Sequence, residues 1–464
     1  MNKKWLLILM VLLAGCTMAP KYERPEAPVP NEWPAGQSYG EEKQALETTQ
    51  PGWREFITDQ RLREIIADSL KNNRELRVAA LNVDKARAMY GIGRASLLPS
   101  INASGVWYRE RIPADLSSSG NSVTAEQFNV SLGMASWEID FFGRIRSLKD
   151  QALEQYLATD QASRSAQILL VAAVAQVYWT LAADREALSL VSSTLSAQEA
   201  AYKMIRKRHE VGLASELDLR RAQTQVDTAR GDVARYTQMV AQDENYLNLL
   251  VGSPVQKELL PPNLAGVSPP RDISAGLSSE PLLRRPDVLA AEHRLKAANA
   301  NIGAARAALF PRISLTTSIG TASAELSGLF KAGSDVWTFA PQIVMPIFDP
   351  RVWYAYDVTK IEKEISIAQY EKSIQTAFRE VADALAEKGM VNERIAAQQS
   401  LVDALAVAYR LSELRYEKGI DSYLSVLDAQ RSLYGAQQGL ILLRLASINN
   451  RVALYKALGG GASP

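Results

Sequence analysis

Apolar residues recur every seven positions along four long stretches of this chain. The first two stretches contain Val174, Leu181, Leu188, Leu195 and Tyr202, and then Leu219, Val226, Val233, Val240 and Leu247. The other two contain Ile395, Val402, Tyr409 and Tyr416, and then Val426, Leu433 and Leu440. This spacing is typical of long helices that pack along one apolar seam. A single bundle helix could also show it, but four stretches in two similar sets predict two helical hairpins.

The segments that join these helices resemble each other. Residues 202–223 and 409–430 give eight identities over 22 ungapped positions, and each contains a glycine followed three residues later by a serine. A glycine that ends one helix and a serine that caps the next are typical of a tight helical turn. The sequence therefore predicts hairpin tips near residues 212 and 419. The residues predicted at these tips are Gly212, Leu213, Ser215, Gly419, Ile420 and Ser422.

The hydrophobic period changes to two in the regions 99–140 and 311–348. In the first region, polar residues or glycine separate Phe128, Val130, Leu132 and Met134. Strands of about ten residues with one apolar face are typical of membrane β-barrels, although a half-buried soluble hairpin has the same pattern. We predict one β-hairpin in each region, and after the first a helix over 143–209, roughly 100 Å long.

Four strands are too few to close a barrel. A four-stranded sheet in lipid would leave two unpaired edges, and each unsatisfied backbone group there costs several kcal/mol. Barrels made by one chain begin at about eight strands. If these hairpins enter a membrane, several copies of the chain must therefore share one barrel.

The N-terminus has the features of an export signal. Residues 1–15 contain a short basic start, an apolar core and small residues before Cys16. The run Leu13-Ala14-Gly15-Cys16 also resembles the bacterial lipobox, in which the signal is cut before a cysteine that is then acylated. A plain signal peptide with an incidental cysteine is the alternative. We expect a covalent lipid on Cys16, which would hold the mature N-terminus to a membrane, and no other cofactor.

Proline content and the repeated segments predict the domain boundaries. Five prolines between residues 20 and 34 make the segment after Cys16 an extended tether. We divide the chain into a signal peptide (1–15), a tether (16–52), a first repeat (53–252), a proline-rich joint (253–283), a second repeat (284–458) and a tail (459–464).

Composition excludes several classes of function. Lys plus Arg number 52 and Asp plus Glu number 51, so nothing favours nucleic acid as a partner. Cys16 is the only cysteine, which leaves no disulfide within the chain and no cysteine metal site. No nucleotide-binding or hydrolase motif occurs, so we predict neither an enzyme nor a metal site. No uninterrupted apolar run of about 18 residues follows the leader, which predicts no transmembrane helix.

Several motifs together resemble the TolC-like outer membrane factors, and most closely their OprM-type lipoprotein branch. Besides the lipobox, these motifs are Arg285-Pro286-Asp287, residues 304–311, Trp137-Glu138-Ile139-Asp140, Phe142-Gly143-Arg144, Tyr423-Leu424 and Leu427-Asp428-Ala429-Gln430. The match runs in order over nearly the whole mature chain. Its specificity lies in the combination of motifs.

The resemblance implies a fold that is mainly α with a β membrane part. Three chains would form a twelve-stranded outer-membrane β-barrel, with four strands from each chain. A long α-helical barrel, built from two tandem repeats per chain, would continue it into the periplasm. The implied function is a passive gated duct of a Gram-negative tripartite RND multidrug efflux system. Its implied partners are outer-membrane lipid, a periplasmic adaptor that meets the hairpin tips, and an inner-membrane pump.

The resemblance also implies a periplasmic gate made of Asp218, Tyr416 and Asp428. The sequence departs from the family at two nearby positions. Ser425 stands where a second acidic residue is common, and Asp421 stands where some members have arginine. Three copies of two aspartates in a narrow mouth would attract cations. Ordinary solvated aspartates on a helix surface are the alternative interpretation.

Two other classes of function remain open at this point. Relatives with the same fold serve metal-ion efflux or type I protein secretion. A periplasmic adaptor or a structural coiled-coil lipoprotein would also have long helices. An adaptor would have one helical hairpin between β-rich halves, whereas this chain has two hairpins and two pairs of strands.

Overall fold

The computed structural model describes residues 17–39, 51–276 and 278–461. Cys16 and the predicted signal peptide lie outside these residues. The α-helices of the described chain are α1 (Trp53–Phe56), α2 (Gln60–Asn72), α3 (Arg74–Ala95), α4 (Arg144–Glu210), α5 (Glu216–Val251), α6 (Pro286–Ala307), α7 (Pro350–Glu417) and α8 (Tyr423–Ala457). Its strands are β1 (Asn102–Ile112), β2 (Val123–Glu138), β3 (Arg312–Ser323) and β4 (Asp335–Val344).

The same order of elements occurs twice along the chain. A helix of 22 residues, α3 or α6, precedes two strands. A helix of 67 or 68 residues, α4 or α7, follows the strands. A helix of 36 or 35 residues, α5 or α8, completes the set. The long helix α4 begins one residue after the predicted start at 143 and ends one residue after the predicted end at 209.

The chain divides into two compact units. The first consists of the described residues up to Glu26, together with Asn82–Asp160 and Ala290–Tyr370. The second consists of the described residues of Ala27–Leu81, Gln161–Leu289 and the chain from Glu371 onward. All four strands belong to the first unit. Both helical tips belong to the second.

The first unit contains one antiparallel sheet with the strand order β1-β2-β3-β4. Because β2 pairs with β3, the hairpins of the two halves join into a single sheet. The outer edges of β1 and β4 have no strand partner within the described chain. β4 ends at Val344, before the end of the predicted region 311–348, and Pro346, which has no N–H to donate to a ladder, follows two residues later.

One face of this sheet is apolar and the other is polar. The register aligns Ala103, Leu132, Ile319 and Trp337 in one row across all four strands. The adjacent row, on the opposite face, consists of Asn102, Gly133, Ser318 and Thr338. In the apolar row, the exposed fractions are 50% for Leu132, 65% for Ile319 and 74% for Trp337. An exposed apolar face of this kind marks a surface that contacts a membrane or another protein.

The central strands approach each other closely on the polar face. A Cβ atom added at Gly133 would lie 2.3 Å from the carbonyl oxygen of Thr317, and one at Gly320 would lie 2.1 Å from that of Val130. Both contacts are with backbone, so only glycine fits at these positions. The register of β2 shifts near Ser136, whose φ of 52° marks a β-bulge.

The second unit is held together by aromatic stacking and by side chains that bond the backbone. Phe56 stacks on Tyr455 with ring centroids 4.2 Å apart. The Ser69 hydroxyl and the Asn73 amide both donate to the carbonyl oxygen of Leu250, at 3.0 and 2.8 Å. These bonds satisfy an acceptor in the last turn of α5 that the helix itself leaves unpaired.

The predicted seven-residue seam is buried in its central part. Val174, Leu181 and Leu247 are fully buried, and Val402 packs with Leu440 in one cluster. Among the described helices, α4 alone contains an 18-residue stretch apolar enough to cross a membrane, and 56% of that stretch is buried inside the protein. This is weak evidence for a membrane helix, because core helices of soluble proteins have the same length and composition.

Two carboxyl groups, Asp184 on α4 and Asp243 on α5, lie within hydrogen-bonding reach of each other. The Oδ2 atom of each is buried and meets no donor among the described residues. One shared proton would satisfy both oxygens. Burial raises the pKa of both groups, and the charge of Asp184 also raises the pKa of Asp243, to about 7. The charge of Arg235 opposes the rise at Asp184.

This pair makes stability depend on pH. The folded chain keeps a proton at Asp243 up to about pH 7, whereas the unfolded chain releases it near pH 4. The free energy of unfolding therefore falls as the pH rises between these values.

We expect Asp243→Asn to flatten this dependence and to raise the melting temperature at pH 8 but not at pH 4. Calorimetric unfolding between pH 4 and pH 8 measures this pH dependence. The control is Glu258→Gln, a change at an exposed residue. If the free energy of unfolding of Asp243→Asn varied with pH as in the parent protein, the shared proton would be contradicted.

Candidate functional site

Each helical hairpin turns at a glycine in the left-handed region. Gly212 has φ 76° and Gly419 has φ 73°. At the first tip the N–H of Leu213 donates to the carbonyl oxygen of Arg208 at 2.7 Å. At the second tip the N–H of Ile420 donates to that of Arg415 at 2.9 Å. This is the Schellman arrangement, in which a left-handed residue lets the chain reverse and satisfies the last carbonyl groups of the helix.

The two predicted serine caps behave differently. Ser215 caps α5, because its hydroxyl accepts the N–H of Asp218 at 3.1 Å and donates to the carboxylate of the same residue at 2.7 Å. Ser422 occupies the N-cap of α8 with extended backbone, but its side chain makes no capping bond. The N–H of Ser425 instead donates to the backbone oxygen of Ser422 at 3.1 Å. Ser422 therefore lies at the predicted cap position, but its hydroxyl does not make the capping hydrogen bond.

Residues of both tips share one hydrophobic core. The buried members of this tip core are Ile205 and Ala222 from the first hairpin and Tyr423, Val426 and Leu427 from the second. Because the tip core contains residues from both hairpins, the two tips pack as one body.

Tyr416, the predicted aromatic gate residue, lies at the contact between the two hairpins. Its ring centroid is 5.3 Å from that of Tyr423, and the guanidinium of Arg208 lies 5.2 Å from the centre of the Tyr416 ring. A guanidinium at this distance is attracted to an aromatic face. Burial raises the pKa of Tyr423 to about 12, with further contributions from negative groups that include Asp218. The structure thus places Tyr416 against Tyr423, and Asp218 close enough for its charge to contribute to the raised pKa of Tyr423.

Asp428 has a different partner. Its carboxylate accepts the Nη2 of Arg431 at 2.9 Å, and its side chain is 56% exposed. Among the described residues, no hydrogen bond or ion pair joins Asp428 to Asp218 or Tyr416.

An ion pair that the sequence analysis did not predict closes the second tip. Asp421 accepts the Nε and Nη2 of Arg415 at 2.6 and 3.0 Å, and this pairing lowers the pKa of Asp421. The repeat places Arg208 and Ala214 at the equivalent positions of the first tip. Arg208 has no acid across its own turn and lies over Tyr416 instead. The signal was present in the sequence, because the aligned copies keep the arginine and differ at its acidic partner.

Apolar side chains are exposed at both tips. Leu213 is 77% exposed and Ile420 is 59% exposed, as expected for the ends of the hairpins. Their exposed apolar neighbours are Val211, Leu217 and Leu424. Apolar residues grouped at the end of a structure mark a surface that binds a partner.

The left-handed glycine gives a test of this tip. Replacing Gly212 with Ala should destabilise the closed tip by about 1 kcal/mol, because a Cβ atom is unfavourable at positive φ. The matched control is Gly231→Ala, in the interior of α5, where alanine should stabilise the helix by a similar amount. Hydrogen exchange measures both changes, at the tip amides for Gly212→Ala and at the α5 amides around residue 231 for Gly231→Ala. Equal protection of the tip amides in the two variants would contradict the assigned turn.

Comparison with known proteins identifies relatives along the whole chain. Residues 65–253 and 277–460 match the family described as Outer membrane efflux protein. Two relatives from Pseudomonas putida are the antibiotic efflux pump outer membrane protein ArpC and the toluene efflux pump outer membrane protein TtgC. Each is 48% identical over 452 residues, covering 97% of this chain and 93% of the relative.

A solved structure gives the same result for the fold. The open state of the MtrE outer membrane channel from Neisseria gonorrhoeae is 38% identical, with a TM-score of 0.84. The match covers 96% of this chain and 98% of that channel. The expected resemblance to TolC-like outer membrane factors is confirmed. This chain therefore belongs to the outer membrane efflux protein family.

Proposed function

We propose that this protein is the outer-membrane duct of a tripartite RND efflux pump, a passive gated channel and not an enzyme. Its relatives are named for the efflux of antibiotics and toluene, so the proposed cargo is small toxic organic compounds. Energy comes from an inner-membrane pump, and a periplasmic adaptor joins the pump to the duct. The observation that carries the proposal is the exposed apolar face of a sheet that has two open edges.

The open edges support a homotrimer. β1 and β4 each have one row of backbone groups with no strand partner in the described chain. Three chains side by side pair each β1 with the β4 of the next chain and close twelve strands without an edge. The apolar row then faces lipid and the polar row faces water in the lumen. The two long helical hairpins of each chain contribute to the proposed helical barrel in the periplasm.

The N-terminal tether supports a lipid anchor at Cys16. In the first unit, Thr17 lies beside Ser147, with their hydroxyl oxygens 3.4 Å apart. The amide of Asn299 donates to the carbonyl oxygen of Pro20 at 2.8 Å. The start of the tether is thus fixed to the unit that contains the sheet. Acyl chains on Cys16 and the apolar face of the sheet would enter the same membrane.

The tips support the proposed roles in gating and docking. Tyr416 packs against Tyr423, and threefold symmetry would bring Asp218 and Asp428 of each chain toward the same axis. Six carboxylates in a narrow mouth would retain cations and hinder other solutes. The exposed Leu213 and Ile420 form an apolar surface at the tips that suits an adaptor.

A charge on the apolar face tests the barrel. Ile319→Arg should prevent assembly, because arginine facing lipid near the middle of a barrel costs about 2 to 4 kcal/mol per chain. Thr338→Arg, on the polar face of the neighbouring strand, is the control and should assemble. Gel electrophoresis of outer-membrane fractions measures the effect on assembly. An intact trimer should migrate as one species in unheated samples and as the monomer after heating. A parent protein that remains a monomer without detergent would overturn the proposed function.

Removal of a gate carboxylate tests the resting state. Asp428→Ala should raise the closed-state conductance several-fold, because the mouth loses three of its charges. Asp227→Ala is a matched control, since Asp227 also pairs with an arginine three residues later and is 57% exposed. Single-channel recording in planar bilayers measures both variants. Unchanged closed-state conductance in Asp428→Ala would remove this residue from the gate.

A further inference from the structure

A cavity of about 430 Å³ lies in the first unit, where the sheet meets the helices. Its lining includes the charged residues Glu138, Arg144 and Arg312 and the aromatic residues Phe142 and Phe310. This volume is within the range of sites for small organic molecules, about 300 to 1,000 Å³. Neither the proposed gate nor the tips use these residues.

The register places the cavity on the polar face of the sheet. Glu138 pairs with Ser314, and Ser314 pairs with Gln342, in one row across three strands. All three residues line the cavity. In the proposed trimer, whose existence this inference assumes, the polar face surrounds the lumen. The cavity would therefore open into the path of the cargo and not toward lipid.

The charges at the cavity leave one cation in excess. The carboxylate of Glu138 accepts Arg144 at 2.8 and 2.7 Å and lies 2.6 Å from the Nε of Arg312. One buried carboxylate thus faces two guanidinium groups. Asp140, which also lines the cavity, has its own partners, because it accepts the backbone N–H and the Nε of Arg146.

The excess charge is accessible. The side chain of Arg312 is 57% exposed, whereas that of Glu138 is 8% exposed. A guanidinium has five N–H donors, and the contact with Glu138 uses one of those on Arg312. An anion that enters the cavity can bind the outer side of Arg312 without displacing Glu138.

Two aromatic rings also line the cavity. The rings of Phe142 and Phe310 stack with centroids 5.0 Å apart and an interplanar angle of 23°. Phe142 precedes α4 and Phe310 precedes β3, so both rings are fixed by the ends of regular elements. A flat apolar group can pack on this pair while a negative group reaches Arg312.

We propose that this cavity is a binding site for aromatic organic anions that pass through the duct. It takes an aromatic carboxylate or sulfonate, with the ring system on Phe142 and Phe310 and the anionic group on Arg312. The site would hold such cargo briefly where the helical part of the lumen meets the barrel.

The test is isothermal titration calorimetry on the full protein in lipid nanodiscs. The probe is 1-naphthalenesulfonate, and the uncharged comparison is 1-naphthalenemethanol. We expect saturable binding of the sulfonate, and about tenfold weaker binding in Arg312→Gln because one charge-assisted contact is lost. Phe310→Leu should weaken the binding of both compounds. The control is Arg351→Gln, an exposed arginine of the same unit that does not line this cavity.

Arg312→Gln keeps Glu138 paired with Arg144, so it should assemble normally, and gel migration and ion conductance of the same preparation check this. Equal affinity for the sulfonate in Arg312→Gln and the parent protein would overturn the site. Inorganic phosphate or glycerophosphate that binds as tightly as the sulfonate would indicate a lipid headgroup site and also overturn it. An assembled, conducting trimer without saturable binding would overturn this inference alone. A preparation that is not trimeric would overturn the proposed function.

Discussion

The pairing of backbone groups at the edges of one small sheet constrains the rest of this structure. The pairing of β2 with β3 joins two hairpins from distant parts of the chain, and the outer edges of β1 and β4 have no strand partner among the residues that the structure describes. Soluble proteins protect such edges with charges, bulges or covering segments. Here the sheet instead exposes an apolar row that includes Ile319 and Trp337. In lipid the apolar row of a single copy would be satisfied but its two open edges would not, so in the proposed trimer assembly is part of folding.

The two halves of the chain use one pattern to make two different tips. Both tips reverse at a left-handed glycine, and both keep an arginine before it, Arg208 or Arg415. A single difference, Ala214 in one copy and Asp421 in the other, decides where that arginine binds. Arg415 closes its own turn, whereas Arg208 reaches the ring of Tyr416 on the other hairpin. Beyond the core that both tips share, the arginine of the first tip binds the neighbouring hairpin and that of the second binds its own turn.

Periodic features could be predicted from the sequence, and contacts between distant elements could not. The seven-residue spacing predicted the long helices, because a helix repeats the same local geometry throughout its length. The end of the strand pattern and the tip glycine set the predicted bounds of α4 within one residue at each end. The glycine and serine spacing located both tips. The pairs Asp184 with Asp243 and Glu138 with Arg312 depend on how separate elements align, which no local pattern specifies. Ser422 has the residue type of a cap without its hydrogen bond, because position alone does not orient a hydroxyl.

The difference between the junctions and the tips indicates where the channel can open. Where strand meets helix, Asp140 accepts two backbone N–H groups of the first turn of α4, and buried Glu138 binds two arginines. A buried carboxylate left without any partner is strongly destabilising, and Glu138 has two partners that prevent this. At the tips the pair of Arg415 with Asp421 is exposed to solvent, where an ion pair contributes little to stability. In the proposed gate the tips can therefore move with little loss of ion-pair stabilisation, while the junctions keep the ends of the strands and helices fixed.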